Sequence, residues 1–173
     1  MVVLAQSGEP WQVATLFETI VLAEGGARYY GDLFVRKDAR AFADRRLANA
    51  LTRLRGLKKS MATPVVERPW TEVARQMAGG GAAMMVMGDF VKGELNALGY
   101  PTDGAFGCSA APGTGELFLY GVDTLVMLAG ERKHRPAQEK LALLVTSAAA
   151  KADYNQIKGS IPALRHPDRA HRH

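Results

Sequence analysis

The sequence predicts an α/β fold with helices around a small mixed sheet, and three observations carry that prediction. Ala82-Ala83-Met84-Met85-Val86-Met87 is apolar throughout and bounded by glycines, the pattern of a strand buried on both faces. Other segments repeat apolar residues at the helical period, begin at Pro or Asp and stop at Gly. The chain is 47% hydrophobic and 23% charged, as in globular proteins and unlike disordered ones.

The elements follow in order. Gly8-Glu9-Pro10-Trp11 opens a helix expected over 10–23: Pro10 suits the first turn, and Glu9 or Gly8 serves the cap. Val13, Leu16, Phe17, Ile20 and Val21 keep the period, and Gly25-Gly26 is expected to stop it. Residues 27–36 read as an irregular stretch. Asp38 then caps one long helix to about Lys58, with Phe42, Leu47, Ala50, Leu51, Leu54 and Leu57 on its apolar stripe and arginines largely off it. Residues 60–68 are a linker containing Pro64. Helices are expected over 70–77, 89–98, 136–146 and 148–156, and strands over 82–87, 104–111 and 117–128, the last two joined by Pro112-Gly113-Thr114-Gly115. Beyond Leu164 the expectation is disorder.

Composition narrows the function. A chain of 173 residues fits one ordinary domain. The net charge of +5 arises from basic residues spread among 17 acids, not from a localised patch, which argues against nucleic acid. No apolar run is long enough to span a bilayer, and Met1–Ala5 is too short for an export leader. One cysteine, Cys108, excludes an internal disulfide; it reads as a small buried apolar residue, or as half of a pair with a cysteine outside this sequence. One cysteine cannot build a zinc site; His166, His171 and His173 read as a loose tail, or as a weak metal binder like a tag. No dinucleotide loop, Walker loop or nucleophile motif is present, so no cofactor and no catalytic role is expected.

Four positions carry chemistry. Trp11, on a helix's first turn, can stack on a ligand ring or serve as a core aromatic. Asp89 follows a strand through Gly88 and precedes Phe90; its carboxylate can cap a helix or accept hydroxyls at the strand's carboxyl end, and both roles are compatible. Lys158 lies in Lys158-Gly159-Ser160-Ile161-Pro162, as a surface lysine or as a donor to hydroxyl oxygens. Asp123, a charge inside an apolar strand, needs a partner, a ligand or an edge. Asn155 and Gln156 are weaker candidates. An aromatic, a carboxylate and a turn lysine together suit a polyhydroxylated ligand, which needs apolar faces to stack on and fixed charges for its hydroxyls.

In this order and spacing the pieces resemble the sugar-binding proteins of bacterial ABC importers, extracellular solute-binding protein family 1, glucose- and mannose-type members above all. The resemblance runs from about Ala5 to Leu164. It implies the C-terminal lobe of a type II periplasmic-binding-protein-like fold, without most of the N-terminal lobe. Residues 5–103 would form the core of the C-terminal lobe and 104–146 a crossover belonging to the N-terminal lobe. Residues 147–164 would return to the C-terminal lobe, and 165–173 would be a tail. The ligand-binding set it implies is Trp11, Asp89, Lys158 and Asp123, with Glu9, Gly88 and Phe90. Many relatives carry Trp at position 90 and Asn at position 87; Phe90 keeps the aromatic without the N–H, and Met87 loses a polar contact. The resemblance further implies a monosaccharide ligand, a membrane permease partner, a periplasmic location and no enzymatic activity. The alternative is a fragment that self-associates, as a homodimer through the orphan strands 104–128, and binds no sugar. A third reading is a carbohydrate-active enzyme using Asp89 and Asp123 as a carboxyl pair.

Overall fold

Val2–Ala5 and Ala82–Met85 lie side by side as parallel strands β1 and β2, with Val2 opposite Ala82, Leu4 opposite Met84 and Ala5 opposite Met85. The computed structural model describes residues 2–130 and 132–161. Parallel strands cannot be joined by a tight turn, so the chain between them makes a long helical crossover. It consists of α1 (Pro10–Tyr30), α2 (Ala39–Phe42), α3 (Arg45–Leu57) and α4 (Trp70–Ala78). After β2 come α5 (Phe90–Ala97), α6 (Arg135–Thr146) and α7 (Ala148–Lys158).

The main core joins α1 to α3. Leu16, Ile20, Val21 and Tyr29 of α1 pack with Leu4 of β1, Leu33, Ala41 and Ala50. Each large apolar side chain removed from water contributes about 1.5–3 kcal/mol, so this cluster outweighs the others. Tyr29 anchors it: its ring is buried, its hydroxyl donates to the Ala41 carbonyl at 3.0 Å, and the Arg46 guanidinium lies 4.2 Å above the ring centre. Burial, and then the charge of Asp44, push the Tyr29 hydroxyl above its ordinary range. Burial, and then its bond to Glu18 at 2.8 Å, raise Tyr30 to about 12. A second cluster sets Val73 of α4 against Ala5 and Ala82 of the sheet, and a third sets Ala74 against Val91 and Leu95 of α5.

Several expectations are corrected. Val2–Ala5 is a strand, not merely a terminus too short for a leader. Its Val-Val-Leu run carries the β-branched signature that would have found it. The Gly25-Gly26 pair does not end the first helix: Gly26, at φ 68° and ψ −177°, kinks it, and the helix resumes to Tyr30 and runs into a wide turn over Gly31–Val35. Burial of Tyr29 and Leu33 holds that continuation, so 27–36 is not irregular. The single helix expected from Asp38 to Lys58 is two, because Asp44 leaves the helical conformation (φ −75°, ψ 139°) and caps a new one through the Arg46 N–H. Ala83 and Met84 are exposed, so β2 is not buried on both faces; a sheet of two short strands has no layers to cover it.

The strands expected over 104–111 and 117–128 do not form. A strand needs a partner for its N–H and C=O groups. Among the described residues this region offers only a single bridge, Thr102 to Phe106. Its apolar side chains accordingly stand in water: Phe118, Tyr120, Val122, Leu125, Val126 and Leu128 are each at least 64% exposed. Cys108 is exposed rather than buried, for the same reason. The tail 165–173 lies outside the described residues, as does Pro162.

The caps at Asp38 and Asp44 set an acid limit. The Asp44 carboxylate, bonded by the guanidinium and backbone N–H of Arg46, is held down to about 2 from 3.8. A carboxylate lowered on folding stabilises the fold above its unfolded value and loses that contribution as pH falls through the folded one. The contribution of Asp44 is therefore complete above about pH 4 and lost toward pH 2. We expect Asp44→Ala to lower the melting temperature at pH 7, with the difference from wild type closing between pH 4 and pH 2. A difference that persists at pH 2 would assign the loss to something other than the charged cap.

Candidate functional site

The site begins where the two strands end. Because β1 and β2 are parallel and in register, the chain leaves both at the same edge. From β1 it runs through Gln6-Ser7-Gly8 to Glu9 and Trp11; from β2 through Val86-Met87-Gly88 to Asp89 and Phe90. The carboxyl edge of parallel strands is where α/β folds present ligand-binding groups.

On the β1 side, Pro10 starts α1 with its fixed φ and Trp11 follows on the first turn. Trp11 is 42% exposed, and its indole Nε1–H donates to Glu9 Oε2 at 2.9 Å. Glu9 precedes the helix without capping it by its side chain. The same carboxylate oxygen accepts from Gln12 Nε2 at 2.6 Å. Ser7, fully buried, donates its hydroxyl to the Arg68 carbonyl at 2.8 Å and accepts from the N–H groups of Glu9 and Arg68.

On the β2 side, Gly88 lies against the ring of Phe90; a Cβ there would collide with it. Phe90 meets Trp70 edge-on, with centroids 5.0 Å apart and planes at 81°. Asp89 does not cap its own helix. Its Oδ2 instead accepts the backbone N–H of Ile161 at 2.9 Å, 72 residues further on. That bond fastens the turn after α7 to the start of α5. Gly159 makes the turn in the left-handed region, at φ 79°. Gly93, buried inside α5, lets the Lys158 carbonyl approach where any Cβ would overlap it.

Lys158 Nζ bonds Asp123 Oδ2 at 2.5 Å and lies 5.5 Å from the centre of the Tyr154 ring. Asp123 is not inside a strand and its side chain is 88% exposed, so the cost of a buried charge does not arise there. The bond to Lys158 holds its carboxyl below the usual range and raises Lys158 above its own. Asn155 donates to the Lys151 carbonyl, a local helix contact, and Gln156 is exposed.

Asp89, Lys158 and Asp123 are thus joined through one turn, whereas Trp11 and Glu9 form a second group. Among the described residues no hydrogen bond, ion pair or ring contact links the groups directly. The route between them runs along Arg68-Pro69-Trp70 to Phe90. Neither of two described hollows is lined by Trp11, Asp89, Lys158 or Asp123. One, of about 570 Å³, lies over Ala110–Phe118; the other, of about 340 Å³, lies between α1 and α3. Among the described residues no three metal-ligating side chains come together, and no helix is long and apolar enough to cross a membrane. Sequence reasoning missed Ser7, Gln12, Arg68 and Gly93. Only Gly93 left a trace, since glycine inside a helix is costly unless another backbone must come close.

No family model matches the chain. Curated relatives do. A "Probable sugar-binding periplasmic protein" of Brucella suis is 30% identical over 160 residues, and one of the same name from Rhizobium meliloti is 32% identical over 162. Each alignment covers 92% of this chain and 38% of the relative. An uncharacterized ABC transporter extracellular-binding protein of Pyrococcus horikoshii is 28% identical over 152 residues. The chain therefore spans about two fifths of the length of the curated relatives it matches.

The glycine at 93 makes the docking of α7 testable. Gly93→Ala forces the turn away from α5, and overpacking of this kind costs about 1–3 kcal/mol. We expect a lowered melting temperature and faster proteolytic cleavage within 148–158. Unchanged melting and cleavage would show that the close approach does not hold the helix.

Proposed function

We propose that this chain, a homologue of sugar-binding proteins of ABC import systems, carries one face of a sugar cleft built on the carboxyl edge of β1 and β2. The observation that supports this reading most is the parallel register, which sends Glu9-Pro10-Trp11 and Gly88-Asp89-Phe90 off the same sheet edge. In this reading Trp11 offers its exposed indole to the apolar face of a pyranose. Asp89, bonded once to Ile161, accepts hydroxyl hydrogens, and Lys158 donates to hydroxyl oxygens. Glu9, Gly88, Phe90 and Asp123 line the approach. The Lys158–Asp123 pair occupies both groups when no sugar is bound, and the ligand exchanges it for its own hydroxyls.

The ligand is a monosaccharide of the glucose or mannose type, the partner is a membrane permease, and the location is periplasmic. The protein binds without catalysing a reaction and needs no cofactor. Residues 5–103 and 147–164 act as the C-terminal lobe, and 104–146 crosses to the other. One face alone leaves water competing for every hydrogen bond, so affinity for this chain is weak. We expect a concentration-dependent rise in melting temperature with tens of millimolar glucose or mannose, and none in Trp11→Ala. No rise with glucose, mannose or galactose would sink the reading. Calorimetric affinity at micromolar level would contradict the single open face.

A second reading is favoured by one observation, the exposed apolar run from Phe118 to Leu128. Burying large apolar side chains yields about 1.5–3 kcal/mol each, and association costs on the order of 4–15 kcal/mol, so covering several of them offsets pairing two copies. In that case the chain is a homodimer through 104–128. Light scattering at micromolar concentration should then give twice the monomer mass. A strict monomer that binds no exposed-surface dye would eliminate this reading.

A further inference from the structure

We infer that Glu9 and Gln12 are positioning residues for Trp11: the carboxylate, itself gripped by the buried glutamine, holds the indole in one orientation. This rests on the reading of Trp11 as the stacking platform. Glu9 Oε2 is the hub, accepting from Trp11 Nε1 at 2.9 Å and from Gln12 Nε2 at 2.6 Å. Gln12 is 0% exposed and cannot follow the carboxylate if it swings; its amide also reaches the Arg68 carbonyl at 3.3 Å. That carbonyl is fixed by Ser7 Oγ at 2.8 Å, and the Arg68 guanidinium is fixed by Gln76 Oε1 of α4 at 2.5 Å. A path of hydrogen bonds, passing through the covalent body of Arg68, therefore runs from α4 to the exposed indole.

A second observation separates this role from simple packing. Gln12 Oε1 and Arg68 Nε are buried without a partner. A methionine or leucine at position 12 would fill the same space with no orphaned polar atom, so stability alone does not select glutamine there. Violations of this kind concentrate at functional sites. The gain lies in binding: an indole already held in place does not have to be ordered when ligand arrives, which improves affinity about two- to tenfold.

The chain has two tryptophans, so a nitrogen–proton correlation spectrum contains two indole signals, and Trp70 serves as the internal reference. Trp11→Phe assigns its own signal. We expect Glu9→Met to shift the Trp11 indole signal toward the free position and accelerate its exchange with water. Gln12→Met should shift it part of the way. Trp70 should stay still in both. Glucose affinity by calorimetry should fall about two- to tenfold in each variant. An unmoved Trp11 signal in Glu9→Met overturns the inference, and so does a shifted signal with unchanged glucose affinity. A shifted signal in a protein whose wild type binds no glucose supports the indole clamp and removes the sugar reading alone. If Gln12→Met does not fold, Glu9→Met, at a half-buried position, decides by itself.

Discussion

The pairing of residues 2–5 with residues 82–85 is the constraint on which the rest of the molecule depends. Eight residues bring together parts of the chain that lie about eighty positions apart, and the parallel sense is what matters. An antiparallel pair would send Glu9 and Asp89 off opposite edges. The parallel pair also obliges the intervening chain to return over the sheet, and that return is the α1–α3 core with Tyr29 at its centre. Strand pairing, crossover and site are therefore one arrangement. Loss of the short ladder would scatter the two groups of polar residues even if α1 and α3 stayed packed.

The two groups reach their positions by different physics. Around Trp11 the order is buried: Ser7, Gln12 and Arg68 exchange hydrogen bonds beneath an exposed ring. Around Asp89 the contacts are exposed to water. The carboxylate gives up the nearby helix N-terminus to accept from Ile161, and Lys158 bonds the exposed Asp123 directly. Exposed ion pairs of that second kind contribute little to stability. The second group is accordingly held by backbone, through Gly93 and Gly159, more than by charge.

Much of this architecture was legible in the sequence, and the misses have physical causes. The start of α1 at Pro10, the stretch from Trp70 to the glycines and the step from strand to helix at Gly88-Asp89 follow from turn chemistry and the helical period. Asp44 was missed because a cap inside an arginine-rich helical pattern reads as another solvated position. Gly26 reads as a stop in the sequence because periodicity does not register the buried Tyr29 beyond it. Strands at 104–128 were expected from composition, but composition does not supply a neighbouring strand. At the site, residue types and spacing pointed to Trp11, Asp89 and Lys158. They could not reveal that Glu9 shares one oxygen between an indole and a buried amide, since residue types and spacing do not show that Gln12 is buried and reaches Arg68, 56 residues away.

The hydrogen bond from Ile161 to Asp89 closes a loop of 72 residues. The entropy of closing a loop grows only with the logarithm of its length, about 0.6 kcal/mol for each doubling. Segment 98–147 contributes little to the packed clusters, so the loop can be lengthened, shortened or exchanged with small effect on whether α7 returns to α5. The closure thus works as a socket: whatever polypeptide is carried between Leu98 and Ser147, the two ends are presented at a fixed separation beside the strand edge. Descendants of this chain can vary that insert in size and, Asp123 apart, in sequence, without rebuilding the backbone that holds Asp89 and Lys158.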